Sequence, residues 1–134
     1  PTARTTLSAD ALQEQISNPR NSVVNRNRPS YMLSGLRRLE KQTPIVLSAL
    51  QVDDISLLHL PAESFIEYQL RAQKLGGDRF VATAAYGDGG PWYIPIAEEY
   101  PNGGYEVSVA FCDPGIDAVM TSGMQSLLQP STGA

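Results

Sequence analysis

The chain has 134 residues, of which 42% are hydrophobic and 18% charged, so it is long enough for one domain but too short for two of ordinary size. This composition disfavours wholesale disorder, and no window approaches the run of about 20 apolar residues that a membrane helix requires. Fourteen acidic and ten basic residues give a net charge of −4, which would repel a phosphate backbone and argues against nucleic-acid binding.

The charge is distributed unevenly along the chain. Residues 1 to 41 carry seven basic and three acidic side chains, whereas residues 42 to 134 carry three and eleven. Two solvated faces would explain this distribution, and so would a cation or a partner bound on the acidic side. The single cysteine, Cys112, cannot form an internal disulfide, and its apolar, acidic surroundings predict an inert thiol with a raised pKa.

The amino-terminal part of the chain is predicted to be helical. Ser8 is a good N-cap for a short helix through about Ser17. Residues 18 to 29 are rich in Asn, Arg and Pro and predict a connector, after which Ser30 should cap a second helix through about Gln42. The apolar stripe of that second helix comprises Met32, Leu33, Leu36 and Leu39.

The pattern after Pro44 predicts strands and a crossover helix. Residues 45 to 52 and 55 to 60 are apolar runs joined by Asp53-Asp54, which is typical of a β-hairpin. The segment PAESFIEYQLRAQKLGG begins with proline and ends in glycine, which predicts a helix with Glu63 in its first turn. RFVATAAY then predicts a strand covered on both faces. Strand, helix and strand within about thirty residues indicate a βαβ unit.

These patterns predict an α/β fold, a mixed sheet with a β-hairpin and one βαβ unit, with helices packed on the sheet. We expect a helical turn near Ala97 and a last helix from Asp113, whose core-facing residues are Ile116, Val119, Met120, Met124, Leu127 and Leu128. Residues 1–134 would form a single domain or domain fragment, with a helical segment 1–43, an α/β segment 44–128 and a tail 129–134. Because the first residue is Pro1, we expect a processed product or a piece of a longer protein.

Two carboxylates are predicted to lie at one edge of the sheet. Ligands of open α/β sheets bind beyond the carboxyl ends of parallel strands, and Glu63 and Asp88 each follow such a strand. A helix N-terminus favours an acid at Glu63 without any function, and an Asx turn equally explains Asp88. A hydrolase that uses these two carboxylates as a pair is one hypothesis.

His59 precedes Glu63 by four residues, a spacing that on a helix would suggest two metal ligands. Because Pro61 lies between them, we expect them not to share a helix, and a packed, hydrogen-bonded strand histidine is favoured. With one histidine and one cysteine, the chain cannot complete an ordinary zinc site by itself.

Two glycine-rich segments carry aromatic residues. In GDGGPWY, Trp92 and Tyr93 follow the glycines and could grip a partner, in which case the chain would be a non-catalytic interaction or structural domain. In NGGYE, paired glycines allow the backbone to approach another element, which could aim the Tyr105 phenol at the same sheet edge. Tyr105 could equally begin a strand after a turn.

The segments LHLPAESFIEYQLRAQ and RFVATAAYGDGGPWYIPIAEEYPNGGYE, with the last helix, resemble the carboxyl-terminal part of the neutral/alkaline ceramidase-type domain over roughly residues 45 to 128. In that family a zinc ion activates a water molecule that attacks the amide carbonyl of ceramide. The resemblance implies that Glu63 and Tyr105 correspond to the family's carboxylate and tyrosine zinc ligands. It also implies that the histidine ligands lie upstream, outside this chain. Ala62 stands where the family usually has glycine.

The resemblance thus implies the carboxyl-terminal portion of a zinc-dependent amidohydrolase, inactive in isolation. The expected partners are the upstream part of the same protein and a lipid-like amide substrate. A secreted or periplasmic location is implied by the resemblance alone.

Overall fold

The computed structural model describes residues 7–88 and 91–129. Its helices are α1 (Ala9–Ser17), α2 (Val23–Glu40), α3 (Ile66–Gly76), α4 (Tyr105–Val109) and α5 (Ile116–Leu128), with a 3₁₀ turn at Ala97–Glu99. Its strands are β1 (Ser48–Val52), β2 (Ile55–Pro61), β3 (Glu63–Ser64), β4 (Phe80–Gly87) and β5 (Tyr93–Ile94). Within the described ranges, no helix is both long and apolar enough to cross a membrane.

The main sheet has three strands in the order β1-β2-β4. β1 and β2 form the predicted antiparallel hairpin, and Asp53 occupies its turn with φ 52°. β2 and β4 are parallel and are joined through α3, so the predicted βαβ unit is confirmed. The chain is therefore mixed α/β, with helices packed against a mixed sheet.

The core lies between one face of this sheet and helices α3 and α5. Ser56, Leu58 and Leu60 alternate with exposed residues along β2 and point into the core. The helices contribute buried side chains from α3 (Tyr68 and Ala72) and from α5 (Ile116, Met120, Met124 and Leu128). The Tyr68 hydroxyl donates a hydrogen bond to the Pro95 carbonyl, which satisfies a phenol buried in this core.

The opposite face of the sheet is open. Five large apolar side chains on it are between 43% and 66% exposed, namely Leu50, Val52, Ile55, Leu57 and Phe80. The pairing register places Val52 beside Ile55 and Ile55 beside Phe80, so these side chains form a continuous patch. The prediction that β4 is covered on both faces is therefore wrong within this chain.

The first two helices pack on each other, but their boundaries differ from the prediction. The short helix capped by Ser8 is confirmed as α1. The predicted connector 18–29 is wrong, because α2 is capped by Ser22 and runs through Pro29, so Ser30 is not a cap. Pro29 is buried, and the Ser30 hydroxyl donates to the Arg26 carbonyl one turn earlier. Burial of the proline ring offsets the backbone hydrogen bond that proline cannot make.

The last helix has a narrower buried stripe than the sequence predicts. Its buried apolar residues recur every fourth position from Ile116, Asp117 is also buried, and Leu127 is partly buried against the core. Val119, which was expected to face the core, is 52% exposed because it lies at the margin of that stripe. Residues 130–134 of the predicted tail lie outside the described residues.

Candidate functional site

Glu63 lies in a short strand and not in a helix. β2 ends at Pro61, and Ala62 turns the chain with φ 57°. Glu63 then pairs in parallel with Tyr93 of β5, and its amide donates to the Trp92 carbonyl at 2.7 Å. Because α3 begins only at Ile66, the prediction that Glu63 occupies the first helical turn is wrong.

The pairing of β3 with β5 places Glu63 directly beside Tyr93. Hydrogen bonding to the Glu63 carboxylate, together with desolvation and the negative charge of Glu63, raises the pKa of Tyr93 to about 12. The ring of Tyr105 meets the Tyr93 ring edge-on, with 6.0 Å between the ring centroids. The two residues expected to bind zinc therefore both contact Tyr93, although α3 and β4 separate them along the chain.

Tyr105 reaches this position through an unusual backbone conformation. Gly104 has φ 95° and ψ 176°, a combination that is essentially restricted to glycine. The chain then enters α4, and the Ser108 amide donates to the Gly104 carbonyl at 3.0 Å. The alternative in which Tyr105 begins a strand is therefore wrong, since Tyr105 is the first residue of a helix.

A pocket of about 390 Å³ lies beside these residues, and we call it the acidic pocket. It is lined by three carboxylates (Glu63, Glu67 and Glu106), two phenols (Tyr86 and Tyr93) and the residues Ser64, Phe65 and Ile66. Of the described residues that line it, none is basic. Three of the eleven acidic residues of segment 42 to 134 thus line this pocket.

Two residues that line the acidic pocket each have a buried oxygen with no hydrogen-bond partner among the described residues. These oxygens are Oε2 of Glu67 and Oγ of Ser64. Buried polar atoms are normally hydrogen-bonded, so these two mark a place where a ligand would complete the interactions. Carboxylate oxygens are zinc ligands, and the donor set at this rim therefore fits a cation.

The described residues supply only part of a metal shell. Among them, no three His, Cys, Asp or Glu side chains are grouped closely enough to hold a metal ion. His59 lies on β2, exposed on the open face of the sheet, and the expectation of a hydrogen-bonded, packed histidine is wrong. Its imidazole lies over Gly87, where an added Cβ would come within 2.5 Å of Nε2. His59 and Glu63 do not share a helix, as predicted.

Asp88 follows β4 and its carboxylate holds the amino-terminal helices in place. It accepts hydrogen bonds from Arg38 Nη2 at 2.9 Å and from the Val46 amide at 3.0 Å. These bonds give Asp88 a structural task, and its catalytic role stays a prediction. The glycines at 89 and 90, which belong to the predicted loop, lie outside the described residues.

Trp92 packs inward. Its ring lies 5.9 Å from that of Tyr31 and 5.7 Å from that of Phe111, measured between centroids. The three rings connect α2 to the body of the domain, an arrangement that does not favour a partner-gripping role for Trp92. The neighbouring Cys112 is buried, and burial, followed by the charge of Asp113, raises the pKa of its thiol to about 11. An inert thiol is consistent with both observations.

Three residues of this region were missed by the sequence analysis. Glu106 and Tyr86 line the acidic pocket, and Arg38 lines a second pocket that Glu63 also lines. Glu106 could have been found from its position next to Tyr105. Arg38 carried no local signal, because its position depends on how α2 packs against the distant loop at Asp88.

No family model, curated protein or solved structure matches this chain.

Proposed function

We propose that this chain is the carboxyl-terminal portion of a zinc-dependent, ceramidase-like amidohydrolase, in which Glu63 and Tyr105 provide two of the metal ligands. The observation that carries the proposal is their shared contact with Tyr93. Glu63 pairs with Tyr93 across β3 and β5, and Tyr105 packs against the Tyr93 ring. The resemblance to the ceramidase-type domain supplies the reaction class.

Each residue at the rim has a distinct role in this proposal. Zinc bound there would supply an activated water molecule and polarise the amide carbonyl. Tyr93 would orient the Glu63 carboxylate by its hydrogen bond, as outer partners of metal ligands commonly do. Glu67 and Glu106 would add negative charge that favours a divalent cation. Gly104 would permit the backbone turn that directs Tyr105 to the rim.

The remaining ligands would come from an upstream segment of the same protein, which is the proposed partner. The open sheet face supports this part of the proposal, because parallel strands are usually covered on both faces. A lipid-like amide is the proposed substrate class.

Zinc affinity of the isolated chain tests the two ligands. We expect weak zinc binding by titration calorimetry, reduced about tenfold or more by Glu63→Gln and by Tyr105→Phe, since each removes an anionic ligand. Glu98→Gln is the matched control, because its carboxylate is 70% exposed and pairs with Arg71 away from the acidic pocket. Equal affinity in all three variants would refute the assignment of ligands.

A further inference from the structure

We propose that a second pocket, the aromatic pocket, binds a neutral carbonyl compound with a compact apolar body, such as a small aryl amide. This pocket has a volume of about 380 Å³, within the range of small-molecule sites. One wall is a face of α2 on which Tyr31, Gly35 and Arg38 recur at helical spacing. Trp92 and Phe111 also line the pocket, where the Trp92 ring lies 5.9 Å from that of Tyr31 and the Phe111 ring lies against Gly35.

The lining of the aromatic pocket is largely apolar. Besides the rings of Tyr31, Trp92 and Phe111, the aliphatic side chains of Leu39, Ile45 and Ala62 contribute to it. Aromatic and aliphatic walls favour a flat or compact apolar group by burial of surface and ring contacts. The few polar side chains then decide which functional group the ligand carries.

Arg38 supplies a donor with no partner among residues 7–88 and 91–129. Its Nη2 donates to the Asp88 carboxylate and to the Pro44 carbonyl, while its Nη1 lies 3.5 Å from the Asp88 carbonyl. Its Nε is buried and has no hydrogen-bond partner in the part of the chain that the structure describes. A buried, unsatisfied N–H is uncommon, and a ligand oxygen that reaches it would satisfy it. The Arg38 side chain as a whole is 33% exposed and lines the pocket.

The charges around the pocket favour a neutral acceptor over an anion. The positive charge of Arg38 is already compensated by Asp88 at 2.9 Å. Glu63 adds a further negative charge to the lining of the same pocket. The negative charges of Asp88 and Glu63 would therefore repel a carboxylate ligand. A neutral amide or ester carbonyl could accept a hydrogen bond from Arg38 without this repulsion.

The aromatic pocket adjoins the proposed metal site, since Glu63 and Tyr86 line both pockets. That the bound amide is also the substrate rests on the proposed function. Binding itself requires no metal, and the two claims can fail independently.

Trp92 provides a direct readout, because it is the only tryptophan of the chain and it lines the aromatic pocket. Its fluorescence is titrated with N-methyl-3-phenylpropionamide and with 3-phenylpropionate, in the presence of EDTA. We expect saturable binding of the amide, with the carboxylate at least tenfold weaker. Equal or tighter binding of the carboxylate, or no saturable binding of the amide, would overturn the inference, and neither result bears on zinc affinity.

Two variants test the role of Arg38. Arg38→Met is expected to weaken amide binding about tenfold, as the loss of one hydrogen bond from a charged donor predicts. Arg37→Met is the matched control, because Arg37 is exposed on the same helix and does not line the pocket. Equal losses in both variants would overturn the inference.

Asp88→Asn tests the electrostatic part of the inference. It keeps an oxygen that can accept from Arg38 and from the Val46 amide but removes the compensating charge. We expect the preference for the amide over the carboxylate to shrink by about tenfold. An unchanged preference would show that charge does not select the ligand and would overturn the proposal. The comparison of the two ligands on the unmodified chain stands even if a variant fails to fold.

Discussion

At the scale of single residues, backbone conformation determines where the proposed ligands lie. Ala62, with φ 57°, adopts a conformation in which a side chain costs about 1–2 kcal/mol, and it turns Glu63 away from the path of β2. Glycine would adopt this conformation without that cost. Gly104 likewise turns the backbone immediately before Tyr105.

Replacement of Gly104 tests this view of the backbone. An added Cβ would meet nothing closer than Glu106 Oε2 at 3.7 Å, so only the conformation is at issue. We expect Gly104→Ala to lower the free energy of unfolding in urea by about 1–3 kcal/mol. Gly123→Ala in α5 should not lower it by a comparable amount, because alanine favours the helix and the atom nearest the added Cβ, Leu47 Cδ2 at 3.1 Å, is the end of a flexible side chain. A free energy within 0.5 kcal/mol of the wild type, roughly the limit for surface changes, would contradict the account for Gly104→Ala.

The contact between Glu63 and Tyr93 predicts a change in tyrosine titration. Because the Glu63 hydrogen bond is the main cause of the raised pKa of Tyr93, Glu63→Gln should move that pKa from about 12 toward 10. The change is measured by NMR titration of the Tyr93 ring, assigned by comparison with Tyr93→Phe. An unchanged pKa in Glu63→Gln would mean that the carboxylate and the phenol do not interact.

At the scale of elements, a buried ion pair joins α3 to α5. Arg71 Nη1 donates to the Asp117 carboxylate, which also accepts from the Ala97 amide at 3.0 Å. Burial alone would raise the pKa of Asp117, but the hydrogen bonds from Ala97 and Arg71 together hold it below its usual value. Asp117 thereby connects α5, α3 and the 3₁₀ turn.

This ion pair predicts a pH dependence of stability. A lowered pKa in the folded state means that the stabilisation is fully present above the ordinary carboxyl pKa of about 3.9 and is lost as the pH falls through the folded value. Asp117→Asn should therefore lower the free energy of unfolding by about 2 kcal/mol at pH 7. This loss is smaller than that expected for a fully buried ion pair, because Arg71 is 30% exposed.

Urea unfolding at pH 7 and at pH 3 measures this effect. The difference in unfolding free energy between wild type and Asp117→Asn should narrow at the lower pH. Asp78→Asn is the control, since Asp78 is exposed. A constant difference at both pH values would show that the Asp117 charge does not stabilise the fold.

The sequence predicted the elements that follow from local pattern and missed those that depend on distant pairing. The hairpin, the βαβ unit and α5 were predictable because their apolar periodicity and turn residues agree with the fold. The strand of Glu63 exists only because β5 lies beside it, and no local signal announces a two-residue strand. Pro29 was placed in a connector because proline normally breaks a helix. Its burial within α2 depends on tertiary packing, which the local sequence does not indicate.

The residue types of the candidate site could be predicted from the sequence, but their arrangement in space could not. Glu63 was found from its place at the predicted sheet edge, and Tyr105 and Tyr93 from their glycine-rich segments. The resemblance added the expectation that Glu63 and Tyr105 are metal ligands. Tyr93 lies beside both Glu63 and Tyr105 because β3 pairs with β5 and because α4 begins at Tyr105. Neither feature has a local sequence signal.

At the scale of the whole molecule, the domain has one covered and one uncovered sheet face. Contiguous exposed apolar patches mark interaction surfaces or aggregation-prone surfaces in water. The patch centred on Ile55 and Leu57 therefore predicts concentration-dependent self-association of the isolated chain.

Two neighbouring residues of β4 separate this effect from folding. Phe80→Ser should reduce self-association in sedimentation velocity with little loss of stability, because Phe80 is 66% exposed. Val81→Ser should instead destabilise the fold, because Val81 is 3% exposed in the core. Unchanged self-association of Phe80→Ser would show that the open sheet face does not mediate the association.

The most direct test of the proposed function is the position of zinc in a crystal of the zinc-loaded protein, measured by anomalous scattering at the zinc edge. The account predicts a peak about 2.0–2.2 Å from a Glu63 carboxylate oxygen and close to the Tyr105 phenolic oxygen, beside Tyr93. A zinc ion bound elsewhere, with Glu63 and Tyr105 both free of it, would contradict the account.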